Sequence, residues 1–225
     1  ARGRSEGHRM NHRVLVTGAA GYLGAGLVES LATRARTSGD PACIVASDVR
    51  EVTTDRRLPG VEYVVHDVRG PGLADVLERH TIDTVVHLAA IVTPGPRSNR
   101  ELEYAVDVLG TRNVLEASVA AGVRRIVVTS SGAAYGYHAD SPAWLTEDDP
   151  VRGNAEFAYS HHKRLVEEML TEYRRTHPAL EQVVFAQRAF AQAGEDALPD
   201  VLQAVQGLKD ARDAVLSLER MGSSD

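Results

Sequence analysis

Tyr159 and Lys163 stand four residues apart in YSHHK (159–163), a spacing that puts both side chains on one face of a helix. A phenol with an ordinary pKa of about 10 is a poor base at neutral pH. A neighbouring ammonium favours the phenolate and brings that value down. Such a phenolate can take a proton from a hydroxyl, or return one to a carbonyl. Tyr and Lys at this spacing also occur as plain surface pairs, so the reading needs a setting.

A second group of residues supplies that setting. Gly18, Gly21 and Gly24 lie at GxxGxxG spacing in TGAAGYLGAGL (17–27), directly after the β-branched run RVLVT (13–17). Glycine in such a turn permits tight backbone geometry and close approach of a pyrophosphate, and a last glycine lets the next helix pack on the strand. The start of that helix offers free N–H groups and partial positive charge to phosphate. Asp48 stands 24 residues beyond Gly24, at the end of a second β-branched run. A carboxylate there accepts hydrogen bonds from adenosine ribose hydroxyls and repels a 2′-phosphate, which favours NAD over NADP. Arg50, two residues on, softens that preference. A positive nicotinamide ring near Tyr159 would add to the pull on its phenol, coupling proton transfer to hydride transfer.

These residues need a scaffold, and its elements are legible. Six short runs are apolar nearly throughout: RVLVT (13–17), CIVAS (43–47), EYVVH (62–66), TVVHLA (84–89), RIVVTS (125–130) and QVVFA (182–186). That is the pattern of strands buried on both faces. Between them lie helical stripes: Leu27, Val28, Leu31 and Ala35; Tyr104, Val108, Thr111, Leu115 and Val119; Leu165, Val166, Met169, Leu170 and Tyr173. Strand–helix alternation predicts an α/β fold with a parallel, doubly wound sheet of the Rossmann type. Ser131 then falls just past the fifth strand, where such sheets place their ligand crevice, with Ser130 as the neighbouring alternative.

Composition limits the rest. The 225 residues are 43% hydrophobic and 25% charged, enough for one substantial core and unlike a disordered or collagenous chain. Lys and Arg number 25 against 31 Asp and Glu, a net charge of −6 that argues against broad nucleic-acid binding. The lone Cys43 can form no internal disulfide, and a reducing, cytoplasmic setting is expected. No apolar run approaches a membrane span, and no metal-ligand spacing emerges among the nine histidines. Residues 1–10 are expected to be a disordered arm. His161 and His162 are expected at the surface or an interface, and Trp144 over a core edge, with packing on a substrate as its alternative.

Five stretches taken together, TGAAGYLG (17–24), HDVR (66–69), HLAA (87–90), TSSGAAYG (129–136) and YSHHK (159–163), resemble the extended short-chain dehydrogenase/reductase superfamily, specifically its NAD-dependent epimerases and dehydratases of nucleotide sugars. DVLGTRNVLEA (107–117) matches as well, although the family usually has Asn where Asp107 stands. The resemblance implies NAD as cofactor and a catalytic set of Ser131, Tyr159 and Lys163. It implies cofactor contacts from Gly18, Gly21, Tyr22, Leu23, Gly24, Asp48, Asp67, Val68, Leu88, Ala89 and Ala90, with Tyr159 and Lys163 also near the nicotinamide ribose. A homodimer paired through helices near 103–121 and 158–176 is implied too.

Family dehydratases place an acid pair where this chain has Gly132 and Ala133, so dehydration is disfavoured and epimerisation or simple oxidoreduction expected. The resemblance assigns residues 11–193 to the NAD-binding domain and 194–225 to a partial substrate-binding segment. QRAFAQAG (187–194) keeps Arg188 and Gly194 of the family pattern but lacks its Pro and Tyr, and a gap is expected near Gly207–Leu208. Two further readings stay open: an NAD(P)-dependent reductase of a non-nucleotide alcohol or carbonyl, and a non-catalytic NAD-binding sensor.

Overall fold

The computed structural model describes residues 12–92, 99–142 and 144–187. The expected arm at 1–10, Arg188, Gly194, the substrate segment 194–225 and the gap near Gly207–Leu208 lie outside the described residues.

Six parallel strands form one sheet in the order β3-β2-β1-β4-β5-β6. They are β1 (Arg13–Thr17), β2 (Cys43–Asp48), β3 (Glu62–Val65), β4 (Thr84–His87), β5 (Arg125–Ser131) and β6 (Glu181–Gln187). Every one coincides with an apolar run of the sequence to within a residue or two. Side chains alternate across the pleat. Leu15, Val45, Val85 and Ile126 fill one face, and Val14, Val16, Ile44, Val86 and Val127 the other. Both faces are covered, which is why the runs carry so few polar residues. The strand order reverses between β1 and β4, opening a crevice at their C-terminal ends.

Helix α1 (Tyr22–Ser38) lays Leu27, Val28 and Leu31 on the Val14–Val16 face and stops at Gly39, whose left-handed φ of 75° lets its N–H reach the Ala35 carbonyl. Helix α2 (Leu73–Arg79) has no counterpart among the expected stripes. Its three buried residues, Leu73, Val76 and Leu77, are too few for a period to stand out in sequence. The next rod runs through α3 (Arg100–Tyr104), a π-helical stretch (Ala105–Gly110) and α4 (Thr111–Ala120). Helix α5 (Ala158–Thr176) buries Val166, Met169 and Leu170 on the opposite face of the sheet from α1. No helix among the described residues is long and apolar enough to cross a membrane.

Candidate active site

The glycine turn is built by close backbone approach. Gly18 leaves β1 at φ 68°, and a Cβ there would sit 2.7 Å from the Ala89 backbone nitrogen. A Cβ on Gly24 would lie 2.1 Å from the Gly18 carbonyl oxygen. These positions are glycine because backbone occupies the space of a side chain. The turn is tied to β2 at the Asp48 carboxylate, where Oδ2 accepts from the Ala20 N–H at 2.9 Å. Its Oδ1 accepts from the Arg50 N–H at 2.9 Å and Nε–H at 3.2 Å. Arg50 is thus paired with Asp48, its side chain largely in solvent. Helix α1 opens with no side-chain cap and no acid in its first turn, leaving the N–H groups of Tyr22 and Leu23 directed out of the helix.

Asp67 and Val68 lie at the end of β3, and Leu88, Ala89 and Ala90 beyond β4, so all five border the same sheet edge as Gly18. Asp67 is chelated by Arg69, whose Nε lies 2.9 and 3.0 Å from its two oxygens and holds its carboxyl below the usual range. Asn113 holds this loop, its amide donating to the Val68 and Gly70 carbonyls at 2.7 and 2.9 Å.

Ser131, Tyr159 and Lys163 come together at the end of β5. The Ser131 hydroxyl interacts with the Tyr159 phenol in the direction that favours its ionisation. The Ser130 hydroxyl is buried without a hydrogen-bond partner, so of the two alternatives it is Ser131 that meets the tyrosine. Lys163 is 6% exposed, and its Nζ donates to the Thr129 carbonyl at 2.9 Å while lying 5.6 Å from the Tyr159 ring centre. Burial pushes the Lys163 ammonium down, with Asp107 and Glu167 holding it up. Burial also pushes the Tyr159 phenol up. The Ser131 hydroxyl opposes that rise, and the Asp107 charge adds to it. In the protein alone desolvation therefore outweighs the pull toward phenolate expected from the lysine's proximity. Ser160 fixes the register of α5 against this corner, donating to the Ala133 carbonyl at 2.7 Å and accepting from the Asn154 N–H at 2.8 Å.

Beneath the trio runs a polar tie that the sequence shows only as part of HLAA. The Thr111 hydroxyl donates to the Asp107 carbonyl at 2.6 Å and so accepts from His87 Nε2 at 3.0 Å. That leaves His87 Nδ1 to accept from the Thr17 hydroxyl at 2.7 Å. Thr17 Oγ1 in turn accepts from the N–H groups of Leu88 and Ala89, at 3.2 and 3.3 Å. The bond directions make His87 a neutral imidazole protonated at Nε2. Complete burial, helped by Lys163, drives its pKa from 6.5 to about 3. The unfolded chain therefore takes up a proton below pH 6.5 that the native protein refuses until about pH 3. The contribution of His87 to stability is full above pH 6.5 and falls by up to about 1.4 kcal/mol per pH unit below it. Urea unfolding at neutral and at mildly acidic pH is expected to show this loss, and His87→Gln to shrink it.

Two expectations are corrected. His162 is not at the surface. It is 4% exposed, and its Nδ1 lies 3.2 Å from Asp107 Oδ2. It shares the buried stripe of Val166 and Met169 at three- and four-residue spacing, a signal that the sequence does contain. Trp144 covers no core edge, being 80% exposed. Among the described residues no group of three or more His, Cys, Asp or Glu is placed to hold a metal.

The sheet order and the corner at β5 invite comparison with known proteins. The model of the NAD dependent epimerase/dehydratase family matches residues 14–192. The chain belongs to this family. Among curated relatives, the UDP-glucose 4-epimerase of Erwinia amylovora is 32% identical over 178 residues, covering 76% of this chain and 51% of the relative. The L-arabinose 1-dehydrogenase (NAD(P)(+)) of Haloferax volcanii is 38% identical over 120 residues, covering 53% and 41%. Among solved structures, a short-chain dehydrogenase/reductase superfamily protein from Agrobacterium tumefaciens with bound NAD is 35% identical, with a TM-score of 0.62 over 78% of this chain and 48% of the other. MoeE5 in complex with UDP-glucose and NAD is 34% identical, with a TM-score of 0.59 over 78% and 53%. The chain spans about half the length of the curated epimerase it matches.

Proposed function

We propose that this chain binds NAD and performs an NAD-dependent oxidoreduction or epimerisation of a hydroxylated substrate, a nucleotide sugar, through Ser131, Tyr159 and Lys163. The observation that carries the reading is the meeting of Ser131 and Tyr159 beside a buried Lys163, whose Nζ is anchored on the Thr129 carbonyl 5.6 Å from the Tyr159 ring centre. The donor set fits NAD. Gly18, Gly21 and Gly24 with the N–H groups of Tyr22 and Leu23 would hold the pyrophosphate, and Asp48 the adenosine ribose. Asp67 and Val68 would border the adenine. Leu88, Ala89 and Ala90 would line the cleft, and Tyr159 and Lys163 would reach the nicotinamide ribose.

When bound, NAD supplies the hydride acceptor and, on return, the donor. Ser131 holds the reacting oxygen. Tyr159, as phenolate, takes the substrate's hydroxyl proton when the carbinol is oxidised and gives it back when the ketone is reduced. Lys163 favours that phenolate through its charge. Gly132 and Ala133 carry no acid to expel water, which leaves dehydration without a proton donor there. A second reading, oxidation of a free sugar rather than a nucleotide sugar, is favoured by the 38% identity to the arabinose dehydrogenase.

A thermal-shift panel separates these readings. NAD is expected to raise Tm, and UDP-glucose or a related sugar nucleotide to raise it further in the presence of NAD. A further rise with free aldoses only, accompanied by NADH formation, selects the second reading. A rise with NAD and no turnover of any sugar selects the non-catalytic sensor. We further propose a homodimer through α5 and the outer face of the rod from α3 through the π-helical stretch to α4, where Tyr104 and Leu109 are exposed. Leu109→Arg is expected to convert a dimer to monomer in light scattering, and an unchanged mass removes that face from the interface.

A further inference from the structure

Asp107 and His162 form a buried hydrogen-bond contact that the proposed chemistry does not use. Their side chains are 4% and 5% exposed, and Asp107 Oδ2 meets His162 Nδ1 at 3.2 Å. The other carboxylate oxygen accepts from the Ile91 N–H at 2.8 Å. Asp107 lies in the π-helical stretch, whose wider turn is a frequent mark of a functional position. Asp107 and Lys163 border one small cavity, which His87, Thr111 and Thr129 line together with Ala89, Ala90, Val128 and Val166.

A carboxylate in such a place is costly unless its charge has work to do or a partner to meet. Burial pushes the Asp107 carboxyl up, and the Ile91 N–H, His162 and the charge of Lys163 oppose that rise. Resting on the reading of Tyr159 and Lys163 as the proton-handling pair, we propose that Asp107, held by His162, is a positioning residue. Its negative charge keeps Lys163 protonated and sets the pH at which Tyr159 ionises. Titratable groups surround Asp107 from β4, from α5 and from its own rod. From β4 there is His87, which is neutral. Helix α5 contributes His162, Lys163, Tyr159 and, through Lys163, Glu167. From the same rod, Tyr104 meets His162 edge-on at 5.8 Å, and His161 of α5 lies with its ring centre 6.2 Å from that of His162.

The sign follows from Coulomb's law. Removing a negative charge makes every neighbouring group give up its proton more readily. The Asp107 charge raises both the Tyr159 phenol and the Lys163 ammonium. Asp107→Asn keeps an acceptor for the Ile91 N–H and removes the charge, so both groups are expected to titrate at lower pH.

The test is a tyrosinate absorbance titration of the protein without NAD. Wild type and Asp107→Asn are each corrected by subtracting the same protein carrying Tyr159→Phe. The Tyr159 midpoint is expected about 0.5–1 pH unit lower in Asp107→Asn. The rising limb of kcat for NAD-dependent oxidation, along which Tyr159 becomes the phenolate, should move to lower pH in the same way while KM for NAD stays near its wild-type value. An unmoved midpoint in a cooperatively folded variant overturns the proposal, because a structural role alone lowers Tm without shifting a titration. Long-range 1H–15N spectra of the wild type give a second readout that needs no variant. Neutral His162 is expected to carry its proton on Nδ1, and a proton on Nε2 alone overturns the pairing. Neither measurement depends on turnover, so a failure of the proposed function shows separately as absent NAD stabilisation.

Discussion

Replacing Tyr159 with Phe is expected to lower kcat about 10²–10⁴-fold while leaving the NAD-induced rise in Tm nearly intact. The phenol oxygen is the atom that meets Ser131, and the ring's half-buried seat beside Lys163 accepts Phe without a clash. Loss of the hydroxyl removes the proton acceptor and nothing that holds the fold. The separation of effects matters more than the size of either. Activity that survives in Tyr159→Phe rules out the proton transfer proposed above, whereas loss of NAD binding in the same variant points to a collapsed cleft. Should the wild type itself gain no stability from NAD, both the enzymatic and the sensor readings fail.

Gly24→Ala is expected to be the most damaging single methyl in the nucleotide turn. Its Cβ would lie 2.1 Å from the Gly18 carbonyl oxygen and 2.7 Å from Ala19 Cα. Neither atom belongs to a flexible side chain, so α1 must move away from β1. Forced overpacking of this kind costs about 1–3 kcal/mol, and the shift displaces the N–H groups of Tyr22 and Leu23 as well. We expect a lower Tm together with a Kd for NAD raised at least about tenfold, roughly 1.4 kcal/mol. Gly39→Ala serves as the control. It has open space around its Cβ but a φ of 75°, so it should cost backbone strain and leave NAD affinity unchanged. Equal effects of the two variants on NAD binding would show that general destabilisation, and not the turn, controls affinity.

The sequence by itself determined the six strands, the three helical stripes and the glycine turn, and its short motifs resembled those of a family with a catalytic trio at these positions. Each depends on a local cue: an apolar run bounded by polar residues, a stripe at three- and four-residue spacing, a short motif at a strand end. Helix α2 escaped because seven residues hold too few apolar positions for a period. Ser130 and Ser131 were equivalent in one dimension. The pleat separated them, sending successive side chains to opposite faces so that Ser131 alone reached Tyr159. His162 shows the same division. Its place on the α5 stripe marked it for burial, but a histidine on an apolar stripe has no legible partner in sequence. Asp107 stands 55 positions away and meets it only because the π-helical stretch and α5 pack against each other in the fold. The protonation states of His87, Lys163 and Tyr159 were likewise decided by tertiary structure. Desolvation and the charge of Asp107 act through space, and neither is a property of spacing along the chain.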